Sequence, residues 1–136
     1  MILLDTSVLS RVFRRAPPGP AEGALERRLA ALMARGAPLG LPGIVLQEVL
    51  SGIRAEKQFA DLERRLLTSF AIVHPSTADY VEAARLRNRC AAKGLNVSGT
   101  DCLISTMAIA ADHQLLAVDR DFEAIAKLEP LRLWRR

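Results

Sequence analysis

Four acidic residues stand where the chain passes from an apolar run into a helix-like pattern. They are Asp5 after Ile2-Leu3-Leu4, Glu48 in Ile44-Val45-Leu46-Gln47-Glu48, Asp101 in Ser98-Gly99-Thr100-Asp101, and Asp119 after Leu115-Leu116-Ala117-Val118. In an alternating α/β protein the strand ends converge on one edge of the sheet. Carboxylates gathered there repel one another, and their pKa values climb unless a cation sits among them. The pattern therefore predicts an oxygen-ligand metal site of the kind that suits Mg2+ or Mn2+.

Each acid also has a plainer reading. Asp5 and Asp101 fit helix-start carboxylates, and Asp119 in Asp119-Arg120-Asp121-Phe122 fits a turn or cap. Glu48 resists that reading. At helical spacing it shares a face with Ile44, Val45 and Gly52, and no basic residue lies within a turn on that face, so a buried charge there needs a partner. His74 and His113 read as structural. Other chemistries are excluded by what is missing: no GxxxxGK[ST] for a phosphate loop, no second aspartate in Asp5-Thr6-Ser7 for an aspartyl-phosphate enzyme, and no Gly-x-Ser-x-Gly elbow.

The elements that must position these acids follow from hydrophobic periodicity. Short runs apolar on both faces, Ile2 to Leu4, Pro38 to Leu41, Phe70 to Val73, Leu115 to Val118 and Leu131 to Trp134, predict buried parallel strands. Between them, Pro20 opens a helix with the stripe Leu25, Leu29, Leu32 and Met33, closed by Gly36. Leu46, Val49, Leu50 and Ile53 mark the next helix, and Phe59, Leu62 and Leu66 another. Ser76 with Asp79 resembles a capping box for a helix running to Lys93, and Ser98 or Thr100 opens one ending near His113. The expected order is β, helix, helix, β, helix, helix, β, helix, helix, β, short helix, β. That is a single α/β/α sandwich with a central, mostly parallel five-stranded sheet, one domain over residues 1–136.

Composition narrows the setting. The formal charge of +4, rich in arginine, points weakly to a phosphate-bearing partner. Cys90 and Cys102 lack CxxC spacing and neighbouring histidines, so two reduced, packed thiols are expected, Cys90 on a helical face with Ala83 and Leu86. Three apolar residues before Asp5 do not make a signal peptide, and no apolar stretch is long enough to span a bilayer, so a cytoplasmic protein is expected.

Ile2-Leu3-Leu4-Asp5-Thr6-Ser7-Val8-Leu9, Ile44 to Gly52, Thr100-Asp101-Cys102-Leu103-Ile104 and Val118-Asp119-Arg120-Asp121-Phe122 together resemble the PIN domain family, within it the VapC-type toxin ribonucleases of toxin–antitoxin pairs. The resemblance spans nearly the whole chain in the family's order. It implies that Asp5, Glu48, Asp101 and Asp119 are catalytic and hold one or two Mg2+ or Mn2+ ions. It also implies that Thr6 supports the first aspartate and Ser7 is its small polar neighbour. The family's Thr or Ser two residues before the fourth acid is here Ala117; Asp121 is the residue that could share or take over the role of Asp119. Arg11, Arg14, Arg15 and Arg120 are candidates for RNA phosphates. The implied function is a metal-dependent endoribonuclease that cuts RNA with metal-activated water, pairs as a homodimer and is neutralised by a small antitoxin. The alternatives are a PIN nuclease of RNA maturation or quality control, a decayed binding module, and a metal-dependent phosphatase, the last disfavoured by the missing DxD.

Overall fold

The computed structural model describes residues 1–13 and 20–135. The chain runs β1 (Ile2–Leu4), α1 (Thr6–Phe13), α2 (Pro20–Ala34), β2 (Leu39–Pro42), α3 (Gly43–Leu50), α4 (Glu56–Ser69), β3 (Ala71–Val73), α5 (Thr77–Ala92), α6 (Gly99–Ala110), β4 (Gln114–Leu116), α7 (Arg120–Leu128) and β5 (Arg132–Leu133). The order is the expected one. The five strands form one sheet in the order β3-β2-β1-β4-β5, every pair parallel. Strand limits shift by at most two residues from the apolar runs: Ala117 and Val118 lie beyond β4, in the segment that leads to Asp119.

The centre of the sheet explains why the first strand must be wholly apolar. β1 is covered on both faces, with Leu3 and Leu4 fully buried, and pairs with β2 through Leu3 opposite Gly40 and with β4 through Leu3 opposite Leu115. Gly40 is needed there for space: a Cβ would lie 2.3 Å from the Met1 sulfur and 2.9 Å from a Leu3 methyl.

Helix ends follow local chemistry. The α5 capping box is formed, with Asp79 N–H donating to the Ser76 hydroxyl at 3.1 Å and Ser76 N–H to the Asp79 carboxylate at 2.9 Å. Gly36 follows α2 in the left-handed conformation at φ 68°, as expected of a helix stop. Leu25, Leu29 and Leu32 are buried, whereas Met33 is 42% exposed. The physical reason is angular: positions 25, 29 and 32 already form one narrow seam, and the next residue turns about 100° away from it. Cys90 on α5 and Cys102 on α6 are buried free thiols, and burial, with Cys90 second, pushes the Cys102 thiol to about 11.

Candidate metal centre

The chain leaves β1 towards β2 and β3 on one side, then returns to place β4 and β5 on the other. The boundary between β1 and β4 is thus the point where strand order reverses, and the ends of flanking loops diverge there to leave a crevice. Asp5 follows β1 and Asp119 follows β4, so the topology alone sets them on either side of it.

Asp5 is held on every side. Its backbone N–H donates to Leu116 at the end of β4 at 3.1 Å, and its own carbonyl accepts from Val8 and Leu9 in the first turns of α1. The carboxylate is 5% exposed and accepts from the Ser7 hydroxyl at 2.6 Å and the Ser7 N–H at 3.2 Å. Asp5 is therefore a helix cap as well as a candidate ligand, because one carboxylate has enough lone pairs for both tasks. The same Ser7 hydroxyl accepts from Val118 N–H at 3.3 Å and so clasps the loop that carries Asp119.

Asp101, Asp119 and Asp121 bring one carboxylate oxygen each to within 4.8 Å of one another. Two helix starts make this possible. Ser98 caps α6 by accepting from Asp101 N–H at 3.0 Å, which leaves the Asp101 carboxylate in the first turn without a capping duty. Asp119 caps α7, its Oδ1 accepting from Asp121 N–H at 2.9 Å, which draws Asp121 back towards it. Both helices direct their positive dipole ends at the group, a favourable arrangement for anions.

The electrostatics show a site with more negative charge than its surroundings balance. Burial first, then the charges of Asp5, Asp119 and Asp121, push the Asp101 carboxyl from 3.8 up to about 7, opposed by a Ser98 hydrogen bond. Asp5 thus lies within reach of Asp101's field although it falls outside the three-oxygen group. An all-carboxylate donor set with strong mutual repulsion fits a hard divalent cation, whose charge would reverse the sign of that repulsion.

Placement of the expected residues is uneven. Asp121, expected to share or take over the role of Asp119, belongs to the close group, and Glu48 does not. Half-buried Glu48 is reached instead through Thr6, whose hydroxyl donates to its Oε1 at 3.3 Å. That corrects the expectation for Thr6: it holds Glu48 rather than Asp5, because adjacent residues on α1 point about 100° apart and Ser7 already occupies the aspartate. Ala117 is partly buried and packs on the core. No hydroxyl stands there, and the tether to the Asp119 loop comes from Ser7, across the crevice. Sequence reading had no signal for that bond, since Val118 contributes only its backbone. Arg11 and Arg120 are exposed, and Arg14 and Arg15 lie outside the described residues.

The chain is similar to known proteins along nearly its whole length. The PIN domain family model matches residues 2–128. Ribonuclease VapC11 of Mycobacterium tuberculosis is 29% identical over 133 residues, 97% of this chain and 96% of that protein. Among solved structures, VapBC2 from Rickettsia felis bound to a promoter DNA fragment superposes with a TM-score of 0.79 at 24% identity, covering 98% of each chain. A toxin–antitoxin complex from Klebsiella pneumoniae gives 0.70 at 22% identity, over 98% of this chain and 100% of that one.

Proposed function

This chain belongs to the PIN domain family, and we propose that it is a divalent-metal-dependent endoribonuclease acting as the toxin of a toxin–antitoxin pair. The observation that carries the reading is the carboxylate group of Asp101, Asp119 and Asp121 with buried Asp5 beside it, at the reversal point of a parallel sheet. The ribonuclease and toxin–antitoxin relatives supply the substrate class and the cellular role.

In this reading Asp5, Asp101, Asp119 and Asp121 hold Mg2+ or Mn2+. Glu48, steadied by Thr6, serves the same site from the α3 side. When bound, such an ion supplies an activated water and shields the charge that grows on a phosphodiester during in-line attack. Asp101 gives up its carboxyl proton as the site is loaded. Ser7 keeps the β1 and β4 ends in register so that the carboxylates on them stay fixed relative to one another. Exposed Arg11 and Arg120 offset the local negative field for an incoming RNA backbone.

The antitoxin would lay an extended segment across this edge and set a basic side chain among the carboxylates, since such a cluster binds a guanidinium by charge-assisted, often bidentate bonds. Leu25 and Leu29, considered as the apolar seat for it, are buried at 3% and 2% exposure and cannot serve. Among the described residues, a cleft where Phe13 and Ile53 meet Arg54, Asp61, Arg64 and Arg65 is available in their place. We take residues 1–136 as one domain, acting in the cytoplasm as a dimer; no described helix is long and apolar enough to cross a membrane.

Expression in cells tests the reading. The parent chain alone should arrest growth, the adjacent gene product should restore it, and Asp101→Asn should be harmless alone. Unimpaired growth with the parent alone would remove the toxin role, and arrest by Asp101→Asn would remove this site from it.

A further inference from the structure

A second feature of the molecule has no part in the metal centre: a groove of about 380 Å³ between α2 and the segment after β5. Arg27, Arg28 and Arg35 line it, with Ala24 and Ala31 between them and Trp134 as its opposite wall. No acidic side chain lines it among the described residues. The Arg28 guanidinium lies 5.1 Å from the Trp134 ring centroid, a cation–π contact that pins both groups in place. Arg27 and Arg35 are exposed, and Trp134 is half-buried.

The segment that walls the groove follows β5, the strand beside β4. The Trp134 backbone N–H donates to the Leu115 carbonyl at 2.8 Å, which ties the segment after β5 to β4, the strand that leads to Asp119. The next residue, Arg135, pairs at 3.6 Å with Glu123 in the first turn of α7, the helix that Asp119 caps. Arg135 beside α7, Trp134 and the groove arginines thus follow one another from the first turn of α7 to α2.

We propose that this groove is a second RNA-binding subsite, holding a single-stranded stretch of the substrate outside the metal centre. The chemistry matches an unpaired strand: arginines along one wall for successive phosphates, and an aromatic side chain at which a base can stack. The inference rests on the ribonuclease reading and deepens it, by making single-stranded RNA that extends past the cut the preferred substrate.

Trp134 is the chain's one tryptophan, so its fluorescence reports on the groove directly. The experiment titrates a short oligouridylate into the parent and into Arg27→Ala/Arg35→Ala in EDTA, then repeats the binding over a range of salt. These two arginines are exposed, so the double variant keeps its fold. Expected are saturable quenching in the parent, affinity lower by roughly tenfold in the variant, and a log K against log salt slope shallower by about 1.4, from about 0.7 per lost single-strand phosphate contact. No quenching in the parent, or equal affinity and slope in the variant, would overturn the proposal. So would quenching by polyglutamate but not by the oligonucleotide, which would make the groove a seat for an acidic protein segment. The two readings separate cleanly: Mn2+-dependent RNA cleavage by a parent whose fluorescence ignores RNA leaves the nuclease standing without the groove. A parent that binds RNA through the groove but never cleaves it does the reverse.

Discussion

Asp101 is the carboxyl of the site that burial and its neighbours hold above the usual carboxylate range. Its carboxyl ionises near 7 in the folded chain against 3.8 as a free side chain, because burial and the neighbouring Asp5, Asp119 and Asp121 disfavour the charged form. A group whose folded pKa is raised contributes stability that is fully present below its unfolded pKa and is lost as pH rises through the folded one. Melting of the metal-free protein should therefore show a component of stability that declines between about pH 4 and pH 7 and is flat above. Asp101→Asn should flatten that decline without lowering the melting temperature at pH 7.5, since Ser98 keeps the α6 cap. Mn2+ should act with the opposite trend, raising the melting temperature more as pH passes 7, because the ion needs the carboxylate free of its proton. A melting profile indifferent to both pH and Asp101 would contradict this electrostatic account. Ser7 is the second residue to probe. Ser7→Ala deletes the hydroxyl that donates to Asp5 and accepts from Val118, so stability should fall by about 1–3 kcal/mol. RNA cleavage should fall by roughly ten- to a hundredfold, the usual effect of losing a group that orients a ligand. Denaturant melts and initial rates on one preparation measure both.

The elements divide into those that build the crevice and those that only support it. α6 and α7 begin at it and carry its acids; α5 packs on α6 and has its own capping box far along the chain from any acid of the site. Ser76→Ala should cost about 1 kcal/mol in a denaturant melt and leave cleavage unchanged, whereas an equal loss of activity would mean that α5 helps to place Asp101. The element order was readable in the sequence because the central strands β1 and β2, covered on both faces, are apolar, and α5 carries a marked capping box; the edge strands β3 and β5 are partly exposed, against the expectation of buried strands. What could not be read was which side chains meet across the crevice. Glu48 drew attention through its apolar neighbours on α3, yet its partner is Thr6, contributed by a helix from the other side of β2. Asp121 looked subordinate to Asp119 in a local turn, and it is that turn, closed by the bond from Asp121 N–H to Asp119, which brings its carboxylate into the close group. Ala117 read as a loss. The tether to its segment arises 111 positions away in sequence, at Ser7, and a bond to a backbone N–H leaves no trace in side-chain pattern.

At the scale of the whole molecule, a parallel sheet reverses its strand order between β1 and β4 and exposes there a set of carboxylates that the protein alone leaves poorly balanced. Two kinds of cation would balance it: in the function proposed above, a divalent ion would make the edge a nuclease, and a partner's guanidinium would silence it by occupying the same space. Exposed Arg11, Arg27, Arg35 and Arg120 contribute to the overall charge of +4, which suits a polyanionic substrate. The most direct measurement is a cleavage time course on a single-stranded RNA with purified parent and purified Asp101→Asn, each in Mn2+ and in EDTA. The account predicts cleavage by the parent in Mn2+ alone, abolished by EDTA and restored by added Mn2+, with Asp101→Asn slower by about a hundredfold or more while melting like the parent. Undiminished cleavage in EDTA, or by Asp101→Asn in Mn2+, would contradict it.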